Sequence, residues 1–437
     1  MIVSVPRALP FLAAASWILA VLPASAAPPV LTLEDCLEIA RENHPALRAE
    51  REETRAQRAE LGVTRAGLLP RLDLLASASR GETSFLTASG LTRTEAVTPV
   101  SLSASQLLYD FGKTPSEVGS SRGLLGASLS ALRTRELEVR FGVQQAYFNL
   151  LRAQRAAAVA EETLRQRQEL LRITQERFDK GERPRFDVTR SAIDAEGARI
   201  ERISSRARLE IARRELLTRM GVPGREWSPV ADVLEAPGED YEEPRLLEAA
   251  LSRRPELQTL RERLEAQESL QESARRDFYP ALSAFGSYEL SRSETDGVSL
   301  GRTGTWQAGL RARLNLFGGL SSLEGLRRRG AQASKAKEEL EALSQQVRFE
   351  VQEALFLMRE SRERISAAQA LVRSAEENLE LWSKAYHAGK GNIIYVTDAQ
   401  GQLLGARLAL INSLADHRIS VARLERAVGL PAGSFPR

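Results

Sequence analysis

The sequence predicts a mainly α fold with a β-barrel part: a long coiled-coil helical barrel plus four transmembrane strands per chain, closed only as an oligomer. Three observations carry this. The 437-residue chain repeats itself at an offset near 208, its proline-free stretches hold a 3.5-residue hydrophobic period, and four shorter segments alternate between apolar and polar residues.

Composition sets the outer bounds. With 43% hydrophobic residues, 27% charged residues and a mean hydropathy of -0.29, the chain is too polar for a bundle of membrane helices. Lys+Arg 61 against Asp+Glu 58 leaves a net charge of +3 with both signs interleaved, which gives no footprint for nucleic acid. His44, His387, His417 and the single cysteine, Cys36, supply neither a zinc site, a disulfide nor an iron–sulfur centre. No cofactor or metal is expected.

The first segment, residues 1–26, reads as a secretory signal peptide. Arg7 gives the positive start, Leu9 to Leu22 is almost wholly apolar, and Ala24-Ser25-Ala26 is a small-residue cleavage pattern. Pro10 and Pro23 bound a core of 12 residues, short of the ~20 that a permanent anchor helix needs. Leu33-Glu34-Asp35 stands where a lipobox would precede an acylated cysteine, so Cys36 is expected to pack on a helix face.

Two repeats of one plan follow, over residues 27–232 and 233–437: helix, two strands, long helix, short turn, helix. Gly221-Val222-Pro223 matches Gly429-Leu430-Pro431, and Val143-Gln144 with Ala146 and Phe148 matches Val351-Gln352 with Ala354 and Phe356, both at 208. His44-Pro45 matches Arg254-Pro255 and Pro70 matches Pro280, both at 210, while Phe111-Gly112 matches Phe317-Gly318 at 206. The first helix opens on a capping pattern, Thr32 with Asp35, and its counterpart runs from about Pro244 to Asp277. Pro45 and Pro255 should kink or break both at the same place.

In the second long helix Ile365, Ala368, Val372, Ala375, Leu379, Trp382 and Tyr386 keep spacings of three and four. The first repeat holds the same register through Ala157, Ala160, Leu164, Arg167, Leu171, Thr174 and Phe178, with Arg167 as the exception. No proline occurs from Ser116 to Arg183 or from Ala281 to Leu430, so helices of ~65–70 residues, roughly 100 Å long, are expected.

The strands alternate. Trp306, Ala308, Leu310, Ala312, Leu314 and Leu316 oppose Thr305, Gln307, Gly309, Arg311, Arg313 and Asn315, and Leu282, Ala284, Gly286, Tyr288 and Leu290 oppose Ser283, Ser287, Glu289 and Ser291. In the first repeat Leu72, Leu74, Ala76 and Ala78 oppose Arg71, Asp73, Ser77 and Ser79, and Val100, Leu102 and Ala104 oppose Ser101, Ser103 and Ser105. Runs of about 9–11 residues fit tilted membrane strands, with the polar stretches Gly81 to Thr98 and Ser293 to Gly304 as external loops. In hydrocarbon an open sheet edge leaves backbone groups unpaired at several kcal/mol each, so four strands must find another chain. Two copies would give a side-chain-filled eight-stranded barrel and three a 12-stranded barrel with a lumen; polar inner faces favour the lumen.

Together these residues resemble the TolC-like outer membrane efflux protein family, from about Leu31 to Pro431. Leu31-Thr32-Leu33-Glu34-Asp35-Cys36-Leu37 with Asn43-His44-Pro45-Ala46-Leu47 is similar to its first-helix signature. Leu69-Pro70-Arg71-Leu72 and Tyr279-Pro280-Ala281-Leu282 look like its strand starts, Phe111-Gly112 and Phe317-Gly318 like its strand exits, and Ile394 to Gln400 like the segment after its hairpin tip. The resemblance implies a homotrimer in the outer membrane with a long periplasmic helical extension. It also implies passage of solutes from an inner-membrane transporter through a periplasmic adaptor.

The resemblance further places a periplasmic gate at the hairpin tips, on Arg183, Asp187, Arg190, Tyr386 and Asp398, and adaptor docking on turns built around Gly181, Gly389 and Lys390. Here each tip keeps one of the family's two aspartates: Tyr386, Gly389 and Asp398 fit, but Gly391 takes the arginine position and Tyr395 the first aspartate. Phe178, Gly181, Arg183 and Asp187 fit in the other tip, with Arg190 at the last aspartate. Asp187 and Asp398 either ring the mouth or are acidic residues favoured near helix N-termini. Lys180-Gly181-Glu182 and Ala388-Gly389-Lys390 depart from the family's apolar-glycine turns.

No enzyme is expected. Gly112-Lys113-Thr114 lacks the first glycine of a phosphate loop, where Leu107 stands, and Gly389-Lys390-Gly391 has no preceding strand. No Ser/His/Asp set has recognisable spacing. The alternative to a channel is an exported, soluble coiled-coil scaffold whose alternating segments form an ordinary sheet.

Overall fold

A computed structural model describes residues 30–84, 92–235, 241–295, 298–430 and 435. The expected signal peptide lies outside the described residues. In chain order the elements are α1 (Leu33–Asn43), α2 (Pro45–Ala66), β1 (Arg71–Ala76), β2 (Ser79–Ser84), β3 (Thr92–Tyr109), α3 (Lys113–Asp179) and α4 (Arg185–Arg219). Then come α5 (Glu243–Arg253), α6 (Pro255–Arg276), β4 (Ala281–Thr295), β5 (Val298–Arg313), α7 (Ser321–His387) and α8 (Ile393–Val428).

Thr32 and Asp35 form the capping box: the Asp35 N–H donates to Thr32 Oγ1 at 3.2 Å and the Thr32 N–H to Asp35 Oδ2 at 2.8 Å. Both prolines break their helices, because a residue before proline is pushed out of the helical region. His44 sits at φ -66, ψ 122 and Arg254 at φ -63, ψ 124. Each break is covered by a matched glycine. Gly221 (φ +76) and Gly429 (φ +80) follow the ends of α4 and α8, and a Cβ on Gly221 would stand 2.7 Å from His44 Cα.

The helices α3 and α7 are 67 residues each, about 100 Å at 1.5 Å per residue. Each returns through a hairpin, α3 with α4 and α7 with α8. Ile365, Ala368 and Ala375 are buried along the expected seam of α7. In α3 the seam holds through Thr174 but fails at Phe178, which is 37% exposed at the hairpin end. The exception at Arg167 has a cause: its guanidinium reaches the Asp194 carboxylate at 3.7 Å and donates to that residue's carbonyl at 3.1 Å. Two apolar clusters tie the shorter helices to the middle of the long ones. One joins Cys36, Tyr147, Leu150, Leu151, Leu216 and Met220; the other joins Leu246, Leu257, Val347, Val351, Leu355 and Leu424.

The strands form one antiparallel sheet in the order β1-β3-β4-β5, with β2 continuing the lane of β1 along β3. Pro99 explains the split: it stands opposite Ser77, accepts the Ser77 N–H at 3.1 Å and has none to return. Register lines up the apolar residues in rows across all four lanes: Leu72, Ala104, Gly286 and Ala308; then Leu74, Leu102, Tyr288 and Trp306; then Ala76, Val100, Leu290 and Gly304. Arg71, Ser105, Ser103, Ser287, Gln307 and Arg311 share the opposite face, which also carries the apolar Leu75, Val97, Leu107 and Phe285.

Three expectations are corrected. The strands β3, β4 and β5 run to 18, 15 and 16 residues, absorbing parts of both expected loops, because the backbone ladder continues past the apolar rows. Leu314 and Leu316 lie beyond β5, which ends at Arg313. The bend equivalent to Phe111-Gly112 (φ +57 and +93) is Gly319-Leu320 (φ +63 and +68), not Phe317-Gly318, since the two long helices start 208 residues apart.

Candidate functional site at the hairpin tips

Both hairpins reverse on a glycine in the left-handed region, Gly181 at φ +73 and Gly389 at φ +76. The Glu182 N–H donates to the Arg177 carbonyl at 2.8 Å and the Lys390 N–H to the Ala385 carbonyl at 3.0 Å, so each turn closes its helix end. Nothing lies within 4 Å of a Cβ built on either glycine. Their role in the turn is therefore conformational, and Lys180 and Lys390 beside them are exposed.

The two tips meet around Tyr386. Its ring is 1% exposed and packs with Leu170, Ile393 and Val396. The guanidinium of Arg183 lies 4.8 Å from the ring centroid and that of Arg177 5.4 Å from it. Arg177 also donates to the carbonyls of Tyr386 and His387, each at 3.1 Å. The Tyr386 hydroxyl donates to Asp187 Oδ2 at 3.4 Å, and Asp187 is only 5% exposed. Burial, and after it the Asp187 charge, pushes the Tyr386 hydroxyl pKa above its ordinary value. Below Asp187, Ser191 donates to its carbonyl and shares a 2.8 Å hydroxyl contact with Thr174.

Arg183, Asp187 and Tyr386 thus converge in one intrachain latch, while two other expected gate residues lie apart from it. Arg190 pairs with Asp194 on its own helix at 3.4 Å. Asp398 is exposed on α8 and makes no ion pair or hydrogen bond with the described residues. Where the resemblance puts the first aspartate, Tyr395 stacks on Trp382 at 4.4 Å. Gly391 leaves no room for a side chain, since a Cβ there would stand 2.8 Å from the Tyr386 nitrogen. Arg177 carries no sequence signal, since its partner, the Tyr386 carbonyl, lies 209 residues away.

The family model for outer membrane efflux proteins matches residues 36–222 and 246–430. The chain is 25% identical over 409 residues to the outer membrane protein OprJ of Pseudomonas aeruginosa, covering 91% of this chain and 84% of that protein. It is 27% identical over 417 residues to the alkaline protease secretion protein AprF of the same organism, covering 92% and 85%. Its fold matches the CmeC outer membrane channel of Campylobacter jejuni with a TM-score of 0.79 at 21% identity, over 91% and 85% of the two chains. The chain therefore belongs to the outer membrane efflux protein family, as an outer-membrane channel subunit with a long periplasmic helical extension.

Proposed function

We propose that three copies close a 12-stranded barrel above a helical tunnel, and that the trimer passes solutes from an inner-membrane transporter and a periplasmic adaptor to the exterior. One observation carries the reading: the registered apolar rows give the four-lane sheet a lipid-compatible wall, while its outer lanes, β1 with β2 and β5, each keep one edge unpaired among the described residues. Polar residues on the other face then line the lumen.

At the far end, Arg183, Asp187, Arg190, Tyr386 and Asp398 form the resting gate in two parts. Arg183, Asp187 and Tyr386 latch the hairpins of one chain together, and the exposed Asp398 faces the mouth, where three copies attract cations. Arg190 holds Asp194 and so fixes α4 beside the latch. Gly181, Gly389 and Lys390 present the turns to the adaptor, whose docking surface would carry acidic groups opposite Lys180 and Lys390. Planar-bilayer recordings test the reading: purified oligomer should conduct, with cation preference. An oligomer that leaves bilayers silent after Asp398→Ala and Tyr386→Phe replacements meant to open the gate would refute it.

A further inference from the structure

Immediately beyond the third apolar row, Arg292 of β4 stands directly opposite Arg302 of β5 on the same outward face, flanked by Thr98 of β3. Like charges directly opposite on a sheet repel, and neither arginine has an ion pair or hydrogen bond with the described residues. The acidic Glu294, on this face, lies a row further out, beside Ala96. The Tyr288 hydroxyl is directed the same way: it lies 3.0 Å from where a Cβ on Gly304 would stand, one row below the arginines. The pair sits at the hairpin end of β4 and β5, remote from the helices, where the outer leaflet begins if the sheet spans the membrane.

We infer that Arg292 and Arg302, with the Tyr288 hydroxyl, form a cradle for the phosphate of an outer-leaflet lipid headgroup. Two guanidinium groups offer paired donors to phosphate oxygens, and the hydroxyl adds a third. The anion removes the repulsion between the arginines and anchors the rim of the barrel. The inference rests on the membrane-wall reading of the sheet.

The test uses purified wild-type oligomer and an Arg292→Gln/Arg302→Gln variant in mild detergent, with native mass spectrometry against a bis-phosphorylated glycolipid, its dephosphorylated form and inorganic phosphate. At roughly fivefold per arginine near a charged headgroup, the wild type should retain the phosphorylated lipid about 25-fold better than the variant. Arg292→Lys/Arg302→Lys should restore most of the difference, which separates charge from misfolding. Equal retention by wild type and Gln variant, or equal binding of the dephosphorylated lipid, overturns the cradle. Displacement of the lipid by millimolar inorganic phosphate overturns the assignment to a headgroup. A wild-type protein absent from outer-membrane fractions overturns the wall reading and the cradle with it, whereas normal fractionation with equal lipid retention removes the cradle alone.

Discussion

Replacing Leu310 by arginine puts the membrane wall to a quantitative test. Leu310 lies opposite Ala284 in the registered ladder and is 68% exposed, so in the isolated chain the longer side chain meets no obstacle. Any large penalty must come from lipid. Arginine on a lipid face costs about 2–4 kcal/mol near the bilayer midplane, which is roughly 30- to 900-fold in the folding equilibrium of each chain. In the proposed trimer the cost is carried three times. Gln307→Arg, on the opposite face beside Ser287, should cost well under ~1 kcal/mol because its side chain stays in water. Folding into lipid vesicles from urea, followed by heat-modifiable gel mobility, measures both. Equal folding free energies for the two variants would refute the assignment of lipid and lumen faces.

Other outcomes follow from the same structure. Asp398→Ala should lower cation selectivity in planar bilayers without changing Tm, since that carboxylate makes no hydrogen bond or ion pair with the described residues; unchanged reversal potentials would place it outside the mouth. Asp187→Ala should raise conductance and cost about 1 kcal/mol, the low end for an orphaned buried hydroxyl, because its bond from Tyr386 is long at 3.4 Å. Gly221→Ala, at φ +76 with His44 backbone 2.7 Å from the new Cβ, should cost more than the ~1–2 kcal/mol of left-handed strain alone, whereas Gly181→Ala, with open space, should cost only that strain; calorimetry orders the two. Burial pushes the Cys36 thiol up to about 11, so its stabilising contribution is complete below pH ~8.5 and is lost as pH rises toward 11. Maleimide labelling at pH 8 should therefore require unfolding, and rapid labelling of folded protein would contradict the packing.

What the sequence makes legible depends on how local the cause is. Pro45 and Pro255 break helices through their own ring geometry, and the seam Ile365 to Ala375 announces itself by spacing. Alternation identifies all four lanes but misjudges their length, since Arg292 or Glu294 can extend a strand once the outward face leaves the hydrocarbon. Pro99 hides its effect, because the residue it deprives of a donor, Ser77, is identified only by register. Phe111-Gly112 and Phe317-Gly318 share identity but not position, as helix starts keep the repeat offset and loop residues do not. At the tips, the glycines follow from turn chemistry alone. The latch does not: Arg177 and Arg183 reach Tyr386 across two hairpins, and no short pattern encodes that meeting. The burial of Asp187 and exposure of Asp398, similar residues by motif, likewise depend on which helices flank them.

The number of copies in the folded particle bears most directly on the account, because one chain supplies four lanes and leaves two open edges. Outer membranes extracted in mild detergent should yield a single species whose mass, by light scattering and native mass spectrometry, equals three mature chains, with no folded monomer at any dilution that preserves the fold. A monodisperse folded monomer, with its sheet edges unpaired in detergent, would contradict it.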